Sequence, residues 1–279
     1  MIKLIVCDVD DTLLPEGTMH LNPEYFTVIK ELQKRGVTFV GASGRQKVSI
    51  RKVFEPIQNE ITYLADNGTD IVAGDFVQSM KFEDEDYVGL ARDLETLNDR
   101  GFTYMPCMAD WNFVDAARED YYQVVLSYGC QAKKVPDLTA LRGISKVSLY
   151  HKDGIPEDVE QMMKEHWSDK MDVCISGSCY LDFSGKDCNK GRGLAILQEH
   201  LGITYEETAA FGNADNDISM ILQAKYGYAV GNASEDLKKA AFEVIGPIQQ
   251  DGVLMKLKEI LAEMGKEGQA DESDDSRIQ

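Results

Sequence analysis

Three carboxylates within four residues, Asp8, Asp10 and Asp11, interrupt an apolar run that begins at Leu4. Leu4 to Val6 reads as a buried strand, continuous in hydrophobicity. Acidic side chains at the carboxyl end of such a strand stand where open α/β sheets place their ligands. Carboxylates this close repel one another, and they coexist only with a cation, a proton or full solvation. A divalent metal meets that need most sharply. A solvated acidic turn meets it too, and the D-x-D pattern alone does not decide. Cys7 resembles a nucleophile by its neighbours, but its place on the strand reads as a buried structural thiol.

Three further clusters fall at strand ends or helix starts. Ser43-Gly44-Arg45 offers a hydroxyl and backbone N–H groups to an anion, or simply caps a helix. Asn189-Lys190-Gly191 puts a cation in a first helical turn, where the macrodipole disfavours it. The choice makes sense if Lys190 answers an anion, and a solvated surface lysine is the alternative. Gly212-Asn213-Ala214-Asp215-Asn216-Asp217 sets two carboxylates and two amides before a helix. Mg²⁺ favours hard oxygen donors of this kind, although a capping loop also uses Asn and Asp.

The surrounding pattern is strand-helix alternation. Asn22 to Arg35 has helical spacing and stops at Gly36. Strands are expected at 37–40 and 63–65, a helix at 48–54, and a hairpin at 69–82 around Gly74-Asp75. From Glu83 the texture changes. Residues 83–182 hold helices at 87–100 and 157–167, aromatic-rich segments, and strands at 146–150, 172–175 and 180–183. Alternation then resumes with helices at 191–201, 217–224, 234–241 and 252–264 and strands at 208–211, 226–230 and 243–245. The fold class is therefore α/β: a Rossmann-like, doubly wound parallel sheet interrupted by an inserted α+β module. The expected domains are a core of 1–82 and 183–264, an insertion of 83–182, and an acidic, disordered tail of 265–279.

Composition narrows the partners. With 279 residues, 43% hydrophobic and 28% charged, this is an ordinary globular chain. A net charge of −19 argues against nucleic acid or an anionic membrane as partner. An acidic ligand would need local help from metal, Lys, Arg or helix N-termini. No signal-peptide pattern or bilayer-length apolar run is present. The six cysteines lack zinc-like spacing and read as reduced thiols of a cytoplasmic protein. Oligomeric state is left open.

In this order and spacing, the four clusters resemble the haloacid dehalogenase superfamily, specifically its Cof-type phosphatases with a large α/β cap. The matching motifs are Asp8-Val9-Asp10-Asp11-Thr12-Leu13-Leu14, Ser43-Gly44-Arg45, Lys190-Gly191 and Gly212 to Asp217. Asp66-Asn67-Gly68, Ala229 to Ala233 and Asp251-Gly252-Val253 add to the likeness. The long interval between Arg45 and Lys190 is where the cap belongs. The resemblance implies hydrolysis of a small phosphorylated metabolite, sugar phosphate first, with Mg²⁺ as cofactor. Asp8 would be the nucleophile and Asp10 the general acid/base. Ser43, Gly44, Lys190 and Asn216 would bind phosphate. Asp8, the Asp10 carbonyl and Asn213 would hold Mg²⁺, with Asp217 close by or compensating. Asp11 and Thr12 would shape the turn. The usual motif begins Gly-Asp where this chain has Gly212-Asn213, which implies weaker metal binding. It also keeps open a catalytically weak phospho-ligand-binding or regulatory protein, and a phosphosugar mutase shares the framework. In the cap, Tyr104, Trp111, Phe113, Arg118, Tyr121, Tyr122 and Tyr128 are candidate contacts or simply its core. The P-loop pattern is absent, and a receiver domain needs no inserted module.

Overall fold

The computed structural model describes residues 1–275 apart from 16–17, 109–110, 128–129, 177–178 and 187, with side chains described to residue 265. Tyr128 and residues 276–279 lie outside the described residues. In chain order the elements are β1 (Leu4–Asp8), α1 (Glu24–Lys34), β2 (Thr38–Ala42), α2 (Lys47–Val53), β3 (Thr62–Ala65), β4 (Asp70–Ala73) and β5 (Phe76–Ser79). Next come α3 (Asp84–Glu95), β6 (Thr103–Met108), β7 (Trp111–Asp115), α4 (Glu119–Ser127), β8 (Ala132–Val135), β9 (Lys146–Tyr150), α5 (Glu157–Trp167), β10 (Met171–Ser176) and β11 (Tyr180–Gly185). The chain closes with α6 (Lys190–Leu201), β12 (Thr208–Gly212), α7 (Ile218–Leu222), β13 (Tyr226–Ala229), α8 (Glu235–Ala240), β14 (Glu243–Val244) and α9 (Gly252–Asp275).

Two compact units result. One comprises Met1–Arg45, Ile50–Phe76 and Asn189–Gln279; the other comprises Gln46–Ser49 and Val77–Cys188. The first is built on a sheet of order β14-β13-β12-β1-β2-β3-β4-β5, parallel from β14 through β3. All of β1 and β12 is buried, the continuous burial expected of a parallel sheet covered on both faces. Helix α1 explains itself in the same terms: Tyr25, Val28, Ile29 and Leu32 recur at helical spacing and go under. Because β1 lies between β2 and β12, the chain reverses direction across the sheet there. A crevice at the carboxyl ends of the strands follows from that topology.

The second unit is a sheet of order β10-β11-β9-β6-β7-β8, antiparallel except for β7 and β8. Alternate residues Val147, Leu149, Leu181 and Phe183 bury one face against Tyr87, Leu90 and Leu94 of α3 and Val159 and Met163 of α5. Helix α4 adds Tyr121 and Val125 to a smaller cluster with Val114.

The structure moves three expectations. The domain breaks fall before Val77 and after Cys188, not at 82 and 183, because β11 is one strand and Phe82 and Phe183 are both core of the second unit. The aromatic-rich stretch between 101 and 145 holds three strands and a helix, whose short runs carry no clear period. Helix α9 continues to Asp275 through most of the expected tail, whose Ala, Glu, Gln and Lys are good helix formers. Among the described residues no helix is long and apolar enough to cross a membrane.

Candidate active site

Asp8 is the last residue of β1 and only 4% exposed. The parallel register sets it beside Ala42 of β2, while Cys7 pairs with Phe211 of β12. The loops leaving all three strands therefore meet around one carboxylate. Lys190 opens α6, whose cap is the Asn189 side chain accepting from Arg192 N. Its ammonium donates to Asp8 Oδ1 and to Asp217 Oδ1, each at 2.6 Å. Lys190 is 1% and Asp217 0% exposed, so three ionisable groups share a dry site.

Such burial is costly unless each charge is paired. It pushes the Asp8 carboxyl up from the ordinary 3.8 to about 7, with Lys190 opposing and the like charge of Asp217 adding. For Lys190, burial works against the ammonium, yet the two carboxylates outweigh it and hold the group above its ordinary range. The lysine that looked misplaced in a first helical turn is thus answered by two anions.

Asp217 is clasped twice over. Its second oxygen accepts from the backbone N–H of Asn213 at 3.0 Å and of Ala214 at 3.1 Å. Gly212 makes room for this, since a Cβ there would lie 2.6 Å from Asp217 Cβ. The sequence reading placed Asp217 among the magnesium ligands. In the structure both of its oxygens are engaged, one by Lys190 and one by the loop, because a four-residue turn ahead of α7 needs its N–H groups satisfied.

Asp10 follows in the turn after β1, where Asp11 takes φ 56°. The Arg45 guanidinium forks onto it, Nε donating to Oδ2 at 2.9 Å and a terminal nitrogen to Oδ1. Ser43 Oγ donates to the same Oδ2 at 3.3 Å and accepts from Arg45 N at 3.0 Å. Asp10 and Ser43 are therefore brought together as expected, with Arg45 as a third member whose role the spacing did not reveal. Asn213 Oδ1 accepts from Thr12 Oγ1 at 3.1 Å, tying the fourth motif to the first. Asn216 Nδ2 donates to Asn67 Oδ1 at 3.0 Å, a bond that the Asp66-Asn67-Gly68 motif did not reveal in the sequence. Asn232 likewise reaches the Asp11 carbonyl at 2.8 Å. Runs of Asn in loops after apolar strands were the available signal for both.

The donor set suits magnesium. One ammonium against two buried carboxylates leaves a negative charge uncompensated, and a further cation would offset it. The oxygens at hand, Asp8 carboxylate, Asp10 carbonyl and Asn213 amide, are hard donors. Among the described residues no three His, Cys, Asp or Glu side chains converge as a cage.

The aromatic candidates of the second unit divide differently. Tyr104 and Phe113 are core, Trp111 packs on that core, and on α4 Tyr121 is buried with Tyr122 partly buried next to it. Arg118 pairs with Asp120.

A family model described as haloacid dehalogenase-like hydrolase matches residues 5–257. A 5-amino-6-(5-phospho-D-ribitylamino)uracil phosphatase of Escherichia coli is 27% identical over 263 residues, covering 93% of this chain and 96% of that protein. An HMP-PP phosphatase of Klebsiella pneumoniae is 27% identical, covering 91% and 93%. A crystal structure from Eubacterium rectale superposes with a TM-score of 0.87 at 29% identity, covering 93% and 99%.

Proposed function

The chain belongs to the haloacid dehalogenase-like hydrolases, and on that premise we propose that it is a magnesium-dependent phosphatase of small phosphorylated metabolites. The observation that carries the reading is the buried Asp8–Lys190–Asp217 constellation, with Asp10 gripped by Arg45 two residues along the same turn. Asp8 attacks the phosphorus of a phosphate monoester, and the ester oxygen leaves. The resulting aspartyl-phosphate is hydrolysed by water, which splits one displacement into two. Asp10 protonates the departing alkoxide and then takes the proton of the incoming water. Arg45 fixes the direction in which Asp10 presents its oxygens. Lys190, Ser43 and the Gly44 N–H stabilise charge on the equatorial phosphoryl oxygens. Asp8, the Asp10 carbonyl and Asn213 would hold the Mg²⁺, which when bound would supply charge neutralisation at the phosphoryl group. Asp217 serves by orienting Lys190.

Beside sugar phosphates, the compounds named for two relatives, 5-amino-6-(5-phospho-D-ribitylamino)uracil and HMP-PP, are the first esters to try. Incubation with a panel of such esters and Mg²⁺ is expected to release inorganic phosphate from at least one of them. Tight binding without release across the panel would favour a phospho-ligand-binding protein instead.

Asn213 gives that second reading its one specific support, since an amide lacks the charge a carboxylate would bring. Asn213→Asp is expected to lower the Mg²⁺ concentration for half-activation by roughly tenfold, because ligand charge tunes affinity. An unchanged or higher Mg²⁺ concentration for half-activation would remove Asn213 from the metal site.

A further inference from the structure

The turn Asp66-Asn67-Gly68, after β3, has three successive residues in the left-handed region, at φ 48°, 57° and 86°. Two of them carry side chains, a backbone conformation that L-residues resist, Asn and Asp least. The surrounding contacts show what holds the turn in this shape. Asn67 N–H donates to the Ser43 carbonyl at 2.9 Å and Asp66 N–H to the Arg45 carbonyl at 3.0 Å, so the turn lies along the back of the Ser43–Arg45 loop. The Asn67 side chain then accepts from Asn216 Nδ2 at 3.0 Å, reaching the loop after β12. Gly68 backs onto the start of α6. A Cβ there would lie 2.6 Å from the Asn189 carbonyl oxygen and 2.9 Å from Lys190 Cα. Gly193 returns the contact, its own Cβ position being 2.7 Å from the Gly68 carbonyl oxygen.

We propose that the Asp66–Gly68 turn is a positioning element for phosphoryl transfer, with Asn67 setting Ser43 and Asn216 and Gly68 setting Lys190. One strained turn thereby fixes three loops that leave different strands. The inference rests on the phosphatase reading for its functional consequence. Asn67 itself touches no reacting atom; it acts through Asn216 and the Ser43 loop.

Asn67→Gly keeps the left-handed backbone and deletes only the amide. It is expected to lower kcat/KM roughly tenfold, as displacing a positioned group does, while the unfolding midpoint moves by only a few degrees. A double-mutant cycle with Asn216→Ala supplies the readout a general loss of stability would not give. If Asn67 acts through Asn216, the double variant is expected to be no worse than the poorer single. Additive losses, or wild-type kcat/KM in Asn67→Gly, would overturn the proposal. Should the wild-type protein hydrolyse no phosphate ester, the phosphatase reading fails separately. The same four proteins are then compared by urea unfolding, where non-additive destabilisation supports the positioning role and additive destabilisation overturns it.

Discussion

Asp8→Asn is expected to abolish phosphate release, by on the order of 10⁴-fold or more, the scale seen when a covalent nucleophile is removed. The substitution preserves size and removes the carboxylate that the proposed mechanism makes the nucleophile. It also relieves a buried charge, because the Asp8 carboxylate is desolvated and stands near Asp217. Lys190 keeps Asp217 as its partner at 2.6 Å. The variant is therefore expected to fold with a midpoint near or above that of wild type, and to bind phosphate ester without turning it over. Residual activity within tenfold of wild type would place the nucleophile elsewhere.

Lys190→Met has the largest expected effect on stability. It leaves Asp8 and Asp217 buried together without their common cation, and breaking a buried pair from one side costs about 3–5 kcal/mol. The loss has a pH signature. In the metal-free wild type the folded chain retains a proton on Asp8 between the ordinary 3.8 and about 7. The unfolded chain has released that proton over the same window. Stability from this group therefore declines as pH rises through the window. Without Lys190 the opposing attraction is gone, so the deficit relative to wild type is expected to widen from pH 5 to pH 8. Urea denaturation at several pH values measures it. A deficit that is constant with pH would mean the lysine contributes packing and not charge. Phosphatase activity is expected to vanish with it, since the proposed mechanism uses the same ammonium to stabilise the phosphoryl oxygens.

Much of this was legible in the sequence because strand ends and helix starts carry strong local signals. Apolar runs ending at Asp8, Ala42 and Gly212 announce parallel strands, and the polar residues just beyond them announce loops at one edge of a sheet. Lys190 was conspicuous for the same kind of reason, a cation where the helix dipole resists one. What the sequence does not show is reach. Arg45 finds Asp10 across the gap between two strands, and only the fold brings the guanidinium back. Asp217 looks like a metal ligand from its company, yet a loop with N–H groups to satisfy and a buried lysine claim both its oxygens. Asn67 was visible only as part of a turn, and its bond to Asn216 depends on two loops from different strands meeting. In the inserted unit the short strands β6 and β8 were blurred because Thr-Tyr-Met-Pro-Cys-Met and Ala-Lys-Lys-Val show no clear alternation, and periodicity alone cannot place them.

The most direct measurement is chemical trapping of the covalent intermediate. Turnover of a good phosphate ester is quenched in acid and the protein reduced with borohydride, which converts an aspartyl-phosphate to homoserine. Peptide mass spectrometry is expected to find homoserine at position 8, dependent on substrate and absent from Asp8→Asn. Rapid phosphate release with an unmodified Asp8, or with the label on another carboxylate, would contradict the account.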